Sequence, residues 1–125
     1  MREDINIRQI PGDLRRRWFS SADFDLIVWF NDDGGFAGFQ LCYDKAGIER
    51  SLVWRPSGGF SHMVVDDGEH RYGKHKASPV LVPDGYFDAR RIRGAFFSEA
   101  ASLPEEIKSY VLETLERHPD YGLAL

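Results

Sequence analysis

The sequence predicts an α+β fold, in which an antiparallel meander of four to five strands carries a C-terminal helix packed on one face. Three four-residue turns predict the meander, because each ends in glycine: Asn31–Gly34, Asp44–Gly47 and Arg55–Gly58. Asn and Asp side chains cap turn amides, and glycine enters the left-handed region without a Cβ clash. Short runs rich in Val, Ile, Phe, Trp and Tyr separate the turns, so strands are predicted throughout the region 24–65.

The segment before the meander gives two further predictions. Residues 4–10 alternate weakly between apolar and polar side chains, which predicts an edge strand that ends at Pro11 and Gly12. Asp13 then has the position of an N-cap, which predicts a short helical turn over residues 14–19. The strands of the meander itself are predicted over residues 24–30, 36–43, 48–54 and 60–65.

Beyond the meander the sequence predicts a polar loop, a fifth strand and two helices. Residues 66–78 are polar, whereas residues 80–82 are apolar and lie between two prolines, as is typical of an edge strand. Asp88 is the predicted N-cap of the C-terminal helical part, residues 88–118, and a capping box over Ser102–Glu105 predicts the start of its last helix. Apolar side chains follow there at helical spacing: Ile107, Tyr110, Val111 and Leu115.

The composition predicts one soluble domain over residues 1–125. A net charge of −4 provides no general attraction to nucleic acid or to an anionic membrane. The single cysteine, Cys42, excludes an intrachain disulfide and favours a reducing, cytoplasmic location. No apolar stretch has the length of a signal peptide core or of a membrane span, so no membrane partner is predicted.

The turns also predict which strand residues share a face of the sheet. In a three-residue hairpin loop the first turn residue faces the residue after the glycine, which predicts the pairs Asn31–Gly35, Asp44–Ile48 and Arg55–Gly59. Counting outward from these pairs collects a polar and aromatic cluster on one face: Gln40, Cys42, Arg50, Trp54, Phe60 and His62. The opposite face is the more uniformly apolar, and the helices are expected to cover it: Ile27, Trp29, Phe39, Leu41, Tyr43, Ser51, Val53 and Met63.

The predicted cluster leads to the first functional hypothesis. Polar groups ringed by aromatic side chains are typical of ligand pockets, although a dimer interface or coverage by the N-terminal segment also explains them. We therefore expect a small non-enzymatic domain that binds itself, another protein or a small molecule through this face. Cys42 and His62 are not expected to form a nucleophilic pair, because the predicted register separates their Cα atoms by roughly 12 Å.

A metal-assisted enzyme is the second hypothesis. Imidazole and carboxylate groups, which are ligands for zinc and other transition metals, are frequent in one segment: His62, Asp66, Asp67, Glu69, His70 and His75. Their spacing matches no zinc or calcium motif, and a solvated polar loop explains the same residues. No cofactor is predicted. The chain also contains no phosphate-binding loop, dinucleotide fingerprint or Gly-x-Ser-x-Gly elbow, which favours a function other than catalysis.

Contact with nucleic acid is the third hypothesis. Arginines occur in two short clusters beside aromatic or apolar residues: Arg15, Arg16 and Arg17 before Trp18, and Arg90, Arg91 and Arg93 around Ile92. Such clusters contact phosphates, while neighbouring aromatic rings stack on bases. The acidic total charge and the absence of a known binding module argue against this hypothesis.

Two stretches of the meander resemble small bacterial proteins of no assigned function. These stretches are Asp25–Phe30 and Gly38–Lys45. The resemblance implies a bacterial, cytoplasmic protein, and it brings no activity, ligand or catalytic residue to this chain.

Overall fold

The meander is wider than the sequence predicts. The computed structural model describes residues 1–66, 80–83 and 86–122, with side chains for residues 1–64 and 86–122. One antiparallel sheet contains seven strands in chain order: β1 Arg2–Glu3, β2 Arg15–Ser20, β3 Asp25–Phe30, β4 Phe36–Tyr43, β5 Arg50–Arg55, β6 Gly59–Asp66 and β7 Val80–Pro83. Two helices follow: α1 Ala89–Glu99 and α2 Glu105–Glu116. The α+β class is confirmed, and the predicted count of four to five strands is too low.

Strand β2 lies where a helical turn was predicted over residues 14–19. Its six residues pair in register with β3, from Arg15 opposite Phe30 to Ser20 opposite Asp25. The prediction was wrong because an N-cap residue alone does not make a helix, and pairing with β3 decides the conformation. Residues 4–10, predicted as an edge strand, contain none; there the side-chain amide of Gln9 bonds both backbone groups of Arg16, at 2.8 and 3.0 Å.

A β-bulge changes the register between β3 and β4. Next to the turn the pairing is as predicted, because the N–H of Asn31 donates to the carbonyl of Gly35 and Phe30 faces Phe36. Trp29 then faces Gly38, which leaves Ala37 as an extra residue in β4. Gly38 has a φ of +132°, a conformation that L side chains rarely adopt. Every residue of β4 after the bulge therefore lies on the face opposite to the one predicted.

The loop between β4 and β5 contains a second shift of one residue in the strand register. This shift cancels the effect of the first on the strands that follow. Asp44 enters the left-handed region, with a φ of 55°, and Tyr43 pairs with Arg50 instead of Asp44 with Ile48. The next hairpin is as predicted, with Arg55 opposite Gly59. The residues of β3, β5 and β6 thus share faces of the sheet as predicted, and only the side chains of β4 lie on the face opposite to the predicted one.

Both helices cover the face of the sheet that carries Leu26, Leu41 and Leu52, which we call the helix-side face. These three residues are aligned across β3, β4 and β5 and are fully buried. The helices contribute apolar side chains to the same core: Ile92, Phe96, Ile107, Val111 and Leu115. The helices were expected on the other face. With Phe39, Leu41 and Tyr43 turned around by the bulge, the helix-side face becomes the more apolar one.

The helix start was predicted correctly for α1 and incorrectly for α2. Asp88 caps α1, since its carboxylate accepts the N–H of Arg91 at 3.4 Å. Pro104 is the N-cap of α2 and provides no side-chain bond, while the Ser102 hydroxyl donates to the carbonyl of Met1 instead of capping the helix. Neither of the two described helices has the length and apolar character needed to cross a bilayer.

Candidate functional site

The six residues predicted to form one cluster lie on two faces. Arg50, Trp54, Phe60 and His62 belong to the helix-side face, whereas the reversal of β4 places Gln40 and Cys42 on the other face. The prediction that these six residues share a face was wrong. The physical reason is the bulge at Ala37 and Gly38, which sequence alternation alone does not reveal.

The aromatic residues of the predicted cluster pack against the core. The rings of Trp54 and Phe60 lie 4.7 Å apart, and Phe60 also contacts His118, which follows α2, at 4.5 Å. His62 shares a hydrogen bond with the hydroxyl of Tyr43, and the two rings are parallel. These contacts join β4 and β6 to the end of α2. His62 therefore interacts with Tyr43, on its own side of the sheet, and Cys42 lies on the other side.

The second face has no helix on it within residues 1–66, 80–83 and 86–122, and we call it the open face. Its members alternate with the helix-side residues along five strands: Trp18, Ile27, Trp29, Gln40, Cys42, Ser51, Val53, Arg55, Ser61 and Met63. None of them belongs to the buried core cluster formed with the helices. Ile27, Cys42 and Ser51 are buried among their neighbours, so the open face presents mainly the half-buried rings of Trp18 and Trp29 and the side chains of Val53 and Met63.

The centre of the open face contains polar groups that bind one another. The amide of Gln40 donates to the hydroxyl of Ser51 at 2.9 Å and contacts the sulfur of Cys42 at 3.6 Å. Ser51 is fully buried beneath these neighbours. Burial, together with the nearby carboxylate of Glu49, raises the pKa of the Cys42 thiol to about 11. The thiol is thus protonated at neutral pH and is not a nucleophile.

One end of the open face is cationic, and we call it the arginine end. The guanidinium of Arg55 lies over the ring of Trp29, 4.3 Å from its centroid. This pair separates two shallow clefts, of about 280 and 350 Å³. The first cleft is bounded by the N-terminal segment through Ile10 and Leu14, and Arg16 also lines it. The second extends to Gln40, Val53, Ser61 and Met63.

The other end of the open face carries carboxylates, and we call it the acidic end. Asp25 begins β3 and binds the amine of Lys45 at 3.1 Å and the hydroxyl of Ser20 at 2.7 Å. Glu49 precedes β5 and lies close enough to Cys42 to act on its thiol. This end of the open face therefore carries two carboxylates, one of which pairs with Lys45.

The residues proposed for a metal site lie mostly outside the described part of the chain. Asp67, Glu69, His70 and His75 fall there, as does the side chain of Asp66. His62 is described, and its ring interacts with Tyr43. Among the residues whose positions the structure describes, no three His, Cys, Asp or Glu side chains form a group that could hold a metal ion.

The two arginine clusters do not form a basic patch. Arg15 and Arg17 point to the helix-side face and Arg16 to the open face, since β2 is a strand. Arg17 forms two hydrogen bonds with Glu3, at 2.7 and 2.9 Å. In the second cluster each side chain contacts a neighbour: Arg90 lies over the ring of Tyr121, Arg91 binds Asp44, and Arg93 binds Glu116.

Sequence reasoning missed one feature of this surface, the group formed by two tryptophans and an arginine. Trp18, Trp29 and Arg55 were not recognised as a surface group, because β2 was not predicted and the second face was assigned to the helix contact. The signal in the sequence was Gly38 within an otherwise unbroken strand, since such a glycine often marks a bulge. No protein-family model, curated protein or solved structure matches this chain significantly.

Proposed function

We propose that this protein is a small non-enzymatic domain that acts by self-association, with the open face as the interface between two copies. The observation that carries the proposal is the open face itself. It combines two half-buried tryptophans with Val53 and Met63, which are also half-buried, and no described helix packs on it. Contiguous apolar surface of this kind marks interaction sites on proteins.

The size of the open face supports a second copy as the occupant. Strand spacing and rise give the five strands β2 to β6 a face of roughly 24 by 20 Å, or roughly 500 Å². Two copies packed face to face would bury roughly 1,000 Å² in total, which is near the lower limit for a specific interface. Sheets pack in this way in β-sandwiches, with their strands nearly aligned.

The polar centre of the open face does not oppose association. Burying a polar group is costly when its hydrogen bonds are lost, but the Gln40 amide already donates to Ser51 within one copy. The Cys42 thiol is neutral, because its pKa is raised to about 11. Packing a second sheet over this centre therefore leaves no new unpaired charge.

Sedimentation velocity tests the proposal directly. We expect the apparent mass to rise from 14.3 kDa towards twice that value over roughly 1 to 200 µM protein, the range suited to an interface of this size. Ser61→Arg should keep the protein monomeric, because Ser61 is exposed and lies beside Val53 on the open face.

Ser98→Arg is the matched control. Ser98 is also exposed but lies on α1, on the other side of the sheet, so this variant should associate like the wild type. Equal melting temperatures at low concentration would show that both variants fold. A wild-type protein that remains monomeric over the whole range contradicts the proposal.

A further inference from the structure

We propose that the first cleft of the arginine end binds a small organic monoanion, in which a carboxylate is joined to a flat apolar body. The inference does not depend on the proposed self-association, because the cleft lies at the margin of the open face, where the N-terminal segment borders the sheet. Six residues line this cleft of about 280 Å³: Ile10, Asp13, Leu14, Arg16, Trp29 and Arg55.

A row of residues across four strands forms the sheet side of the cleft. Arg16 of β2 faces Trp29 of β3, and Trp29 faces Gly38 of β4. The side chain of Arg55 lies over Gly38, since a Cβ built on this glycine would be 3.4 Å from the Arg55 Cγ atom. Because Gly38 has no side chain, the guanidinium of Arg55 crosses β4 and reaches the ring of Trp29. The row therefore places one arginine on either side of the indole.

A β-turn forms the rim of the cleft. The N–H of Asp13 donates to the carbonyl of Ile10 at 3.0 Å, and Gly12 has a φ of +89°. With Pro11 before this glycine, the residues have the pattern of a type II turn. Ile10 and Leu14, on either side of the turn, are 44% and 37% exposed. The turn therefore presents apolar surface to the cleft.

Both guanidiniums of the cleft have unused hydrogen-bond donors. Arg16 donates from Nη2 to the carbonyl of Arg8 at 3.1 Å, while its buried Nε has no partner among the described residues. Within the described part of the chain no carboxylate forms an ion pair with Arg16 or Arg55. A guanidinium presents five N–H donors in a planar fork that matches a carboxylate. An oxyanion in the cleft is therefore the complementary ligand.

The charge and the apolar lining together select the class of anion. The lining contains two guanidiniums and the exposed carboxylate of Asp13, so its net charge is +1. A monoanion balances this charge, whereas a phosphate dianion would be repelled more strongly by Asp13. Ile10, Leu14 and Trp29 contribute to binding only when the anion has an apolar body. An aromatic monocarboxylate meets both requirements.

Titration with phenylacetate, followed by tryptophan emission, tests this assignment because Trp29 lines the cleft. We expect saturable binding with a Kd of about 1 mM, which suits a ligand of about ten non-hydrogen atoms. Phenylacetamide has nearly the same shape but no charge, and it should bind at least about tenfold more weakly. Inorganic phosphate has no apolar body and should also bind more weakly than phenylacetate. Protein at about 1 µM keeps the proposed dimer dissociated.

Three variants locate the binding site. Arg55→Gln removes one guanidinium and should weaken phenylacetate binding at least about tenfold. Asp13→Asn removes the opposing carboxylate and should strengthen binding about threefold, a gain that a damaged fold would not produce. Arg15→Gln is the matched control, because Arg15 is exposed on the helix-side face of β2 and its loss should leave the Kd unchanged. Equal melting temperatures would show that the three variants fold.

The outcomes separate this proposal from self-association. A titration without saturable binding up to about 20 mM phenylacetate overturns the anion site, and so does binding that Arg55→Gln leaves unchanged. Phenylacetamide or phosphate bound as tightly as phenylacetate overturns the assigned ligand class. A protein that dimerises without binding phenylacetate leaves self-association standing, whereas a monomer that binds it supports the anion site alone.

Discussion

Replacing Gly38 with alanine should destabilise the fold more than any other exchange of glycine for alanine in the described chain. A Cβ at this position would lie 2.4 Å from the carbonyl oxygen of Trp54, which belongs to the backbone of β5 and cannot rotate away. The φ of +132° adds strain for any residue with a side chain. Gly38 thus permits both the bulge and the close approach of β4 to β5.

The magnitude follows from three contributions. An unfavourable backbone conformation costs about 1–3 kcal/mol, and overpacking against a fixed atom costs about the same. The lower entropy of the unfolded alanine chain offsets about 0.4–1 kcal/mol. We therefore expect Gly38→Ala to lower the free energy of unfolding by about 3 kcal/mol.

Urea denaturation followed by tryptophan fluorescence provides the assay. With a slope of about 2 kcal/mol per molar urea, a loss of about 3 kcal/mol lowers the midpoint by about 1.5 M. Measurement at about 1 µM protein keeps the proposed dimer dissociated. Gly94→Ala is the control, because a Cβ there meets no atom within 4 Å inside α1, and this exchange should stabilise by about 0.5–1 kcal/mol. Equal midpoints for the two variants would refute the reasoning.

Two predictions concern titrating side chains. Burial lowers the pKa of His118 below 6.5; the nearby Asp120 opposes this shift and His62 adds to it. Between the lowered pKa and 6.5 the unfolded chain therefore binds more protons than the folded one. Stability should therefore fall as pH falls through this window. His118→Gln should reduce the drop in melting temperature between pH 7.5 and 5.0. An unchanged drop would show that other groups cause it. For Cys42, the pKa of about 11 leaves about a hundredfold less thiolate at pH 7.5 than the ordinary value of 9.0 does. Alkylation monitored by mass spectrometry should be slower than that of a model thiol by at least this factor, and a comparable rate would mean that the thiol is exposed.

Local patterns in the sequence predicted the elements that depend on neighbouring residues. All three turns form, with the N–H of Gly34, Gly47 and Gly58 donating to the first residue of the turn. β3 to β6 lie within two residues of their predicted bounds, and β7 is at the edge of the sheet, as its two prolines predicted. Asp88 caps α1, and Ile107, Val111 and Leu115 of the predicted α2 stripe are buried, because capping and helical periodicity act over one or two turns.

The tertiary structure decided that Arg15–Ser20 forms the strand β2 and which residues lie on each face of the sheet. The segment Arg15–Ser20 has no strong preference of its own, and pairing with β3 makes it a strand. The bulge at Gly38 and the left-handed Asp44 each shift the register by one residue, and a shift of one residue moves a side chain to the opposite face. Gln40 and Cys42 were thereby separated from Arg50 and His62, and the surface proposed here for self-association emerged on the side assigned to the helices.

The sequence alone therefore determined the class of the fold, the positions of the turns and the strands beside them. These follow from steric and hydrogen-bonding preferences that each residue expresses with its near neighbours. Only the tertiary structure decided which face the helices cover, because that choice depends on the sum of apolar area on each side after the bulge has formed. The candidate interface depends on this choice, since the open face is the side of the sheet that the helices leave uncovered.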